Sequence, residues 1–159
     1  AKNTRYPGQL IGCSIGKFDS KNFLYIGDGL FHPKALLLKN DAMVFVYNPF
    51  IKEYFELTQK DVEYMRRNQK TGLVKFLSSK EIGVLISTKP GQKHIDEARK
   101  LKKKYPDKNF YFLIFNTLDF TQLEDFNFIE CFVNTACPRI SYDDSEKIRK
   151  PIINIEDIN

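Results

Sequence analysis

Tryptophan is absent from the 159 residues, and only two methionines, two histidines and three cysteines occur. An odd cysteine count argues against a closed disulfide framework, and no Cys-x-x-Cys pair is present. His32 and His94 stand far apart, so no structural zinc site is written in the sequence. No apolar run approaches the ~20 residues a membrane-spanning helix needs, and the N-terminus carries no signal-peptide pattern. The chain therefore reads as cytoplasmic. A Walker phosphate loop, a serine elbow and a paired-carboxylate motif are missing too.

What is present suffices for a real core. Hydrophobic residues make up 42% and aromatics 14%, enough for one ordinary domain or two small ones and against disorder. The net charge of +5 is concentrated partly in Arg99-Lys100-Leu101-Lys102-Lys103-Lys104. Aromatics that could stack bases are not interleaved with that run, so it reads as the solvated face of a helix rather than a nucleic-acid patch. A modest basic balance also suits an acidic protein partner.

Residues 1–7 read as a linker, and Gly8 to Cys13 as a short strand ending in a cysteine. Phe23 to Gly27 is a continuous apolar strand of the buried, parallel-sheet kind. Phe31 to Lys39 is a short helix, Ala42 to Tyr47 the next strand, and Phe50 to Leu57 a short, partly alternating one. A long helix is expected from Thr58 to about Ser78, with Thr58 and Asp61 as an acidic capping box and Gly72 as a weak point. Ile82 to Ser87 is another buried strand, and Gln92 to Tyr105 an amphipathic helix with Ile95, Ala98 and Leu101 on one face. Phe110 to Phe115 is a strand, Phe120 to Phe126 a short helix, and Phe128 to Asn134 a strand. A short helix through Arg149 and a last strand, Ile152 to Ile155, follow. Alternating strands and helices predict an α/β fold of parallel βαβ units throughout, in two small domains, 1–80 and 81–159. One continuous sheet is the alternative.

Chemistry concentrates at Val133-Asn134-Thr135-Ala136-Cys137-Pro138-Arg139-Ile140. An apolar strand breaks there into a small-residue turn, and Pro138 pushes Cys137 away from helical angles. A thiol just past a strand end sits where open α/β sheets place ligands, and a Cys-Pro pair closes common iron–sulfur ligand runs. Cys13 repeats this logic, following a strand and lying between Gly12 and Ser14. Both thiols are expected at carboxyl ends of strands, facing a shared cleft; a packed, buried small thiol is the alternative for each. Cys131, in mid-strand, reads as core filler. Arg139, two residues past Cys137, could pair with a ligand carboxylate or with Asp143 or Asp144. Gly27-x-Gly29 is a fragment of a dinucleotide fingerprint or a tight turn that needs positive backbone angles.

Val133-Asn134-Thr135-Ala136-Cys137-Pro138-Arg139-Ile140 with Asp143-Asp144 resembles the last-domain cysteine motif of the diphthamide synthase family, the archaeal-type 2-(3-amino-3-carboxypropyl)histidine synthases. Gly8-Gln9-Leu10-Ile11-Gly12-Cys13 is similar to that family's middle-domain cysteine motif. Tyr25-Ile26-Gly27-Asp28-Gly29-Leu30-Phe31-His32-Pro33 is similar to its glycine-aspartate-glycine turn, and Ser87-Thr88-Lys89-Pro90-Gly91-Gln92 to the start of its third domain. The resemblance implies three Rossmann-like domains around a central cleft, usually in a homodimer. One cysteine from each would bind a 4Fe–4S cluster, with Cys13 and Cys137 as two of the metal ligands. The cluster would take S-adenosylmethionine on its open iron, with Arg139, Gly27 and Gly29 as candidate cofactor-binding residues. A 3-amino-3-carboxypropyl radical would then add to a histidine of translation elongation factor 2. The family's first domain and its cysteine have no counterpart in this sequence, so the chain is expected to fold but to be inert alone. A non-catalytic α/β scaffold or partner subunit, and a nucleotide- or RNA-binding module, are the alternatives.

Overall fold

The computed structural model describes residues 5–10, 15–90 and 94–158, which fall into two compact units, 1–66 and 67–159. The first unit holds strand β1 (Asn22–Ile26), helix α1 (Phe31–Lys39), strands β2 (Met43–Asn48) and β3 (Glu53–Leu57), and the start of helix α2 (Glu63–Ser78). Its sheet runs β1-β2-β3. β1 and β2 are parallel, as α1 between them requires, but β3 is antiparallel to β2. Parallel units throughout is therefore corrected for this unit. The link between β2 and β3 is far too short for the crossover a parallel pair needs, so the chain turns back as a hairpin.

Helix α1 packs against β2, and its Ala35, Leu36, Leu37 and Leu38 are buried along with Val44, Val46, Leu57, Val62 and Met65. The opposite sheet face stays open: Leu24 lies beside Phe45, and Ile26 beside Tyr47, which lies beside Tyr54, and all five side chains are exposed. β1 is thus an alternating strand, at the sheet edge among the described residues, rather than the buried one expected. Thr58 and Asp61 form the predicted capping box, with the Thr58 N–H donating to Asp61 Oδ2 at 2.7 Å. It opens a 3-10 turn (Gln59–Val62) that leads into α2. That backbone hydrogen bond, first among the causes, holds the Asp61 carboxyl below its ordinary value.

Near the N-terminus, Gly8 adopts a φ of +78°, and Gln9 Oε1 accepts from the Arg5 and Tyr6 N–H groups. Residues 7 and 8 form a turn, and residues 8–10 carry no strand, which corrects the expected strand over its described part.

The second unit continues α2 and adds β4 (Glu81–Ser87), α3 (Ile95–Lys104), β5 (Asn109–Phe115), β6 (Cys131–Asn134), the single turn α4 (Arg139–Tyr142) and β7 (Ile152–Asn154). Short 3-10 turns at Thr121–Asp125 and Ser145–Lys147 replace the two expected short helices. All four strands are parallel, in the order β5-β4-β6-β7. Burial of both sheet faces explains the near-continuous apolar sequence of central β4. Ile82, Val84 and Ile86 join Ala98 and Leu101 of α3 and Phe76 of α2 in one core. Leu85 joins Phe132, Ile129, Leu123 and Ile152 in the other. The boundary between units falls inside α2, not after it at residue 80, because Leu73 and Phe76 of that helix pack with the second sheet. Lys108 Nζ donates to the Leu77 and Ser79 carbonyls and so caps the end of α2.

Candidate functional site

In the second sheet the chain passes from β4 to β5 on one side, then returns to β6 on the other side of β4. Connections therefore diverge between β4 and β6, and the carboxyl ends of those two strands are where an open α/β sheet takes its ligands. The loop that leaves β6 at this point carries Cys137.

Three side chains fix the loop's course. Asn134, the last residue of β6, is 1% exposed. Its Oδ1 accepts from the Ala136 N–H at 3.0 Å, the local turn that asparagine favours. Its Nδ2 donates to the Cys137 carbonyl at 2.9 Å and to Asn154 Oδ1, at the end of β7, at 2.7 Å. Thr135 donates through its N–H and Oγ1 to the Leu85 carbonyl of β4, at 3.1 and 2.8 Å. The loop is thereby tied to β7 on one side and to β4 on the other. Pro138 then starts α4, and the Ile140 N–H donates to the Cys137 carbonyl at 3.1 Å. Tyr142 closes that turn, donating to Asp157 Oδ2 and accepting from Gln69 Nε2 of α2. Burial, then the Asp157 charge, raises the Tyr142 pKa and keeps it a neutral phenol.

Cys137 is a free, half-buried cysteine outside both cores of this unit. Arg139 donates through Nε to Asp143 Oδ2 at 2.7 Å, one helical turn on. That bond, with smaller contributions from the Asp143, Cys137 and Asp144 charges, raises its pKa and keeps the guanidinium charged. The pair is exposed, so it contributes at most ~0.5 kcal/mol to stability. A carboxylate ligand at this loop would compete with Asp143 for the same fork.

Cys131 is different. It is fully buried, with Sγ 3.8 Å from the Gly72 carbonyl of α2. Burial pushes its thiol up to about 12, so it is the core filler the sequence implied and no ready metal ligand. Its folded pKa lies above that of an exposed thiol. The neutral form thus supports folding fully below about pH 9, and that support is lost as pH rises towards 12. Denaturant titrations of wild type and Cys131→Ala should show a stability difference that shrinks between those limits. A difference independent of pH there would contradict this assignment.

In the first unit, the stretch from Gly27 to Pro33 links β1 to α1. Gly29 has a φ of +75°, so the tight-turn reading of this glycine holds. Asp28 Oδ1 accepts from the Gly29 N–H at 2.8 Å and from Asn48 Nδ2 at 3.0 Å, while the Tyr25 hydroxyl donates to the Asp28 carbonyl. The Tyr25 and His32 rings stack with centroids 6.2 Å apart. Cys13 lies outside the described residues, and with it the expected cleft shared with Cys137; so do Gly91 and Gln92 of the stretch similar to the start of the third domain. Among the described residues, no three or more His, Cys, Asp and Glu side chains converge as a metal site.

A family model for "Putative diphthamide synthesis protein" matches residues 1–159. The chain belongs to the diphthamide synthesis family. A 2-(3-amino-3-carboxypropyl)histidine synthase of Pyrococcus horikoshii is 31% identical over 157 residues, covering 96% of this chain and 45% of the relative. The enzyme of the same name from Methanocaldococcus jannaschii is 30% identical, with 95% and 45% covered. Among solved structures, Dph2 from Pyrococcus horikoshii with a 4Fe–4S cluster superposes with a TM-score of 0.80 at 30% identity, covering 96% of this chain and 45% of that one. This diphthamide synthesis chain thus spans less than half the length of these relatives. Its mixed α/β architecture is theirs.

The sequence reading placed Cys137 correctly at a strand end but missed Asn134, Thr135 and Asn154, which hold its loop. An asparagine ending a strand two residues before a small residue was the available signal.

Proposed function

We propose that this chain forms the middle and last domains of a transferase that moves the 3-amino-3-carboxypropyl group of S-adenosylmethionine to a histidine of translation elongation factor 2. The observation that carries this reading is the half-buried, non-core Cys137 on a braced loop at the switch point of a parallel sheet, in a chain of the diphthamide synthesis family. The residue suits an iron–sulfur cluster: a thiol free of disulfides on a loop that the Asn134 side chain holds, two residues before a permanently charged arginine.

Cys137 would hold such a cluster with Cys13, and the third thiolate implied by the resemblance lies outside these 159 residues. When bound, the cluster supplies the electron that splits a carbon–sulfur bond of S-adenosylmethionine; aminocarboxypropyl transfer leaves methylthioadenosine behind. The chain's own residues bind and orient. Asn134 and Thr135 set the Cys137 loop, and Arg139 offers its fork to the methionine carboxylate. In the Gly27–Pro33 turn, Gly29 has open space for close backbone approach, and Gly27, whose space is taken by the Tyr25 ring, would contribute once that ring moves aside. The intact enzyme works as a homodimer in the cytoplasm, with elongation factor 2 as its protein partner. No described helix is long and apolar enough to cross a membrane.

Anaerobic reconstitution of the full-length protein with iron and sulfide tests the reading. A charge-transfer band and methylthioadenosine release on reduction are expected; a protein that takes up no iron would overturn it. Within that experiment, Arg139→Lys should weaken S-adenosylmethionine binding without lowering the melting temperature. Unchanged affinity with a lower melting temperature would assign Arg139 to Asp143 alone.

A further inference from the structure

We propose that Asn134 is the positioning residue of Cys137 and that Asn154 holds Asn134 in place for that purpose. The inference rests on the reading of Cys137 as a cluster ligand. The loop after β6 presents a backbone donor, the Ala136 N–H, and a backbone acceptor, the Cys137 carbonyl, to one buried side chain. Only a primary amide meets both from one end; aspartate would offer acceptors to each, and serine lacks the reach for the second. The two backbone groups therefore dictate which way the Asn134 amide faces. Its remaining hydrogen goes to Asn154 Oδ1 at 2.7 Å, so every donor of that Nδ2 is engaged.

Asn154 supplies the second half of the argument. It is 2% exposed and is the register partner of Asn134 across β6 and β7. Its own Nδ2 makes no hydrogen bond of good geometry and has only a weak interaction with the Tyr142 hydroxyl. A buried amide whose donor is so poorly matched carries a desolvation penalty that an apolar residue would avoid. What Asn154 provides in return is the carbonyl that keeps Asn134 Nδ2 turned towards Cys137. The Cys137 carbonyl, held by Asn134 Nδ2 and the Ile140 N–H together, fixes its peptide plane and hence the direction in which its Cα–Cβ bond leaves the loop. A ligand sulfur pre-aimed in this way binds metal more tightly; losing such an outer partner typically weakens affinity ~10–100-fold.

The test uses two variants of the full-length protein. Asn134→Ser keeps an acceptor near the Ala136 N–H but removes the donor to Cys137. Asn154→Leu keeps the branched side-chain shape and removes only the acceptor for Asn134 Nδ2 and a weak contact with Tyr142, and it carries the test should Asn134→Ser not fold. In metal-free, reduced protein, timed iodoacetamide labelling read by peptide mass mapping should show the Cys137 rate shifted about tenfold in both variants, with Cys13 as the unchanged internal reference. In reconstituted protein, iron retention against a chelator should fall ~10–100-fold. Folded variants with wild-type Cys137 labelling and wild-type iron retention would overturn the inference. Should wild type take up no cluster, the cluster reading fails separately, and the labelling arm on metal-free protein still decides the positioning role.

Discussion

Cys137→Ser is expected to abolish the charge-transfer band and S-adenosylmethionine cleavage in the reconstituted full-length protein while leaving its melting curve near that of wild type. Serine keeps the volume but not the soft thiolate that iron–sulfur clusters take as ligand. A first-sphere loss should exceed the ~100-fold weakening seen for outer-sphere partners. Stability is expected to hold because Cys137 belongs to neither core cluster of its unit, and its hydrogen bonds in the loop are made by its carbonyl, which serine retains. The matching control is Cys131→Ser. It should leave the cluster intact but lower stability, because a hydroxyl would replace a thiol that is fully buried among Val84, Phe76 and Val133. Exchange of these two phenotypes would mean that the wrong cysteine has been assigned to the site.

Gly72→Ala is expected to destabilise the protein by about 2 kcal/mol, a fall of several degrees in melting temperature. Two effects oppose each other here. Alanine is the better helix former by about 1 kcal/mol, and Gly72 lies in the interior of α2. A Cβ at position 72, however, would stand 2.6 Å from the Ile152 carbonyl oxygen and 3.1 Å from Ile153 Cβ. The nearest obstacle is backbone rather than the flexible end of a side chain, so β7 or α2 must move as a whole. β7 has little room to do so, because Asn154 is bonded to Asn134 and Phe132 donates its N–H to the Pro151 carbonyl. Overpacking should therefore outweigh propensity, and displacement of β7 should also disturb the Asn154–Asn134 brace. Thermal melts check the sign: a variant more stable than wild type would show that the helix–strand approach is looser than this.

Most of the second unit was legible in the sequence because its strands are buried on both faces. Continuous apolar runs such as Ile82 to Ile86 and Phe132-Val133 admit few other readings once glycine, proline and charged turns bound them. α4 escaped because a single helical turn carries no periodicity, and Pro138 at its cap resembles a simple loop. Gly72 looked like a flaw in a helix, whereas it is a contact point; a glycine's packing partner lies eighty residues away in β7 and leaves no local trace. The hairpin of β2 and β3 was readable in principle, since Asn48-Pro49 followed so soon by another strand leaves no length for a crossover. The exposed edge of β1 was not, because a run such as Phe23-Leu24-Tyr25-Ile26 does not say whether one or two layers will cover it. At the site, Cys137 stood out through its chemistry, while Asn134 and Asn154 did not, being twenty residues apart and meaningful only when their strands pair.

As proposed, Cys137 serves an aminocarboxypropyl transferase. That role is tested most directly by giving the reconstituted, reduced full-length protein S-adenosylmethionine labelled in the aminocarboxypropyl carbons, together with elongation factor 2. Label on a histidine of the factor and methylthioadenosine in equal amount are expected, with neither product from Cys137→Ser. An intact cluster in wild type with no label on the factor, or equal labelling by Cys137→Ser, would contradict it.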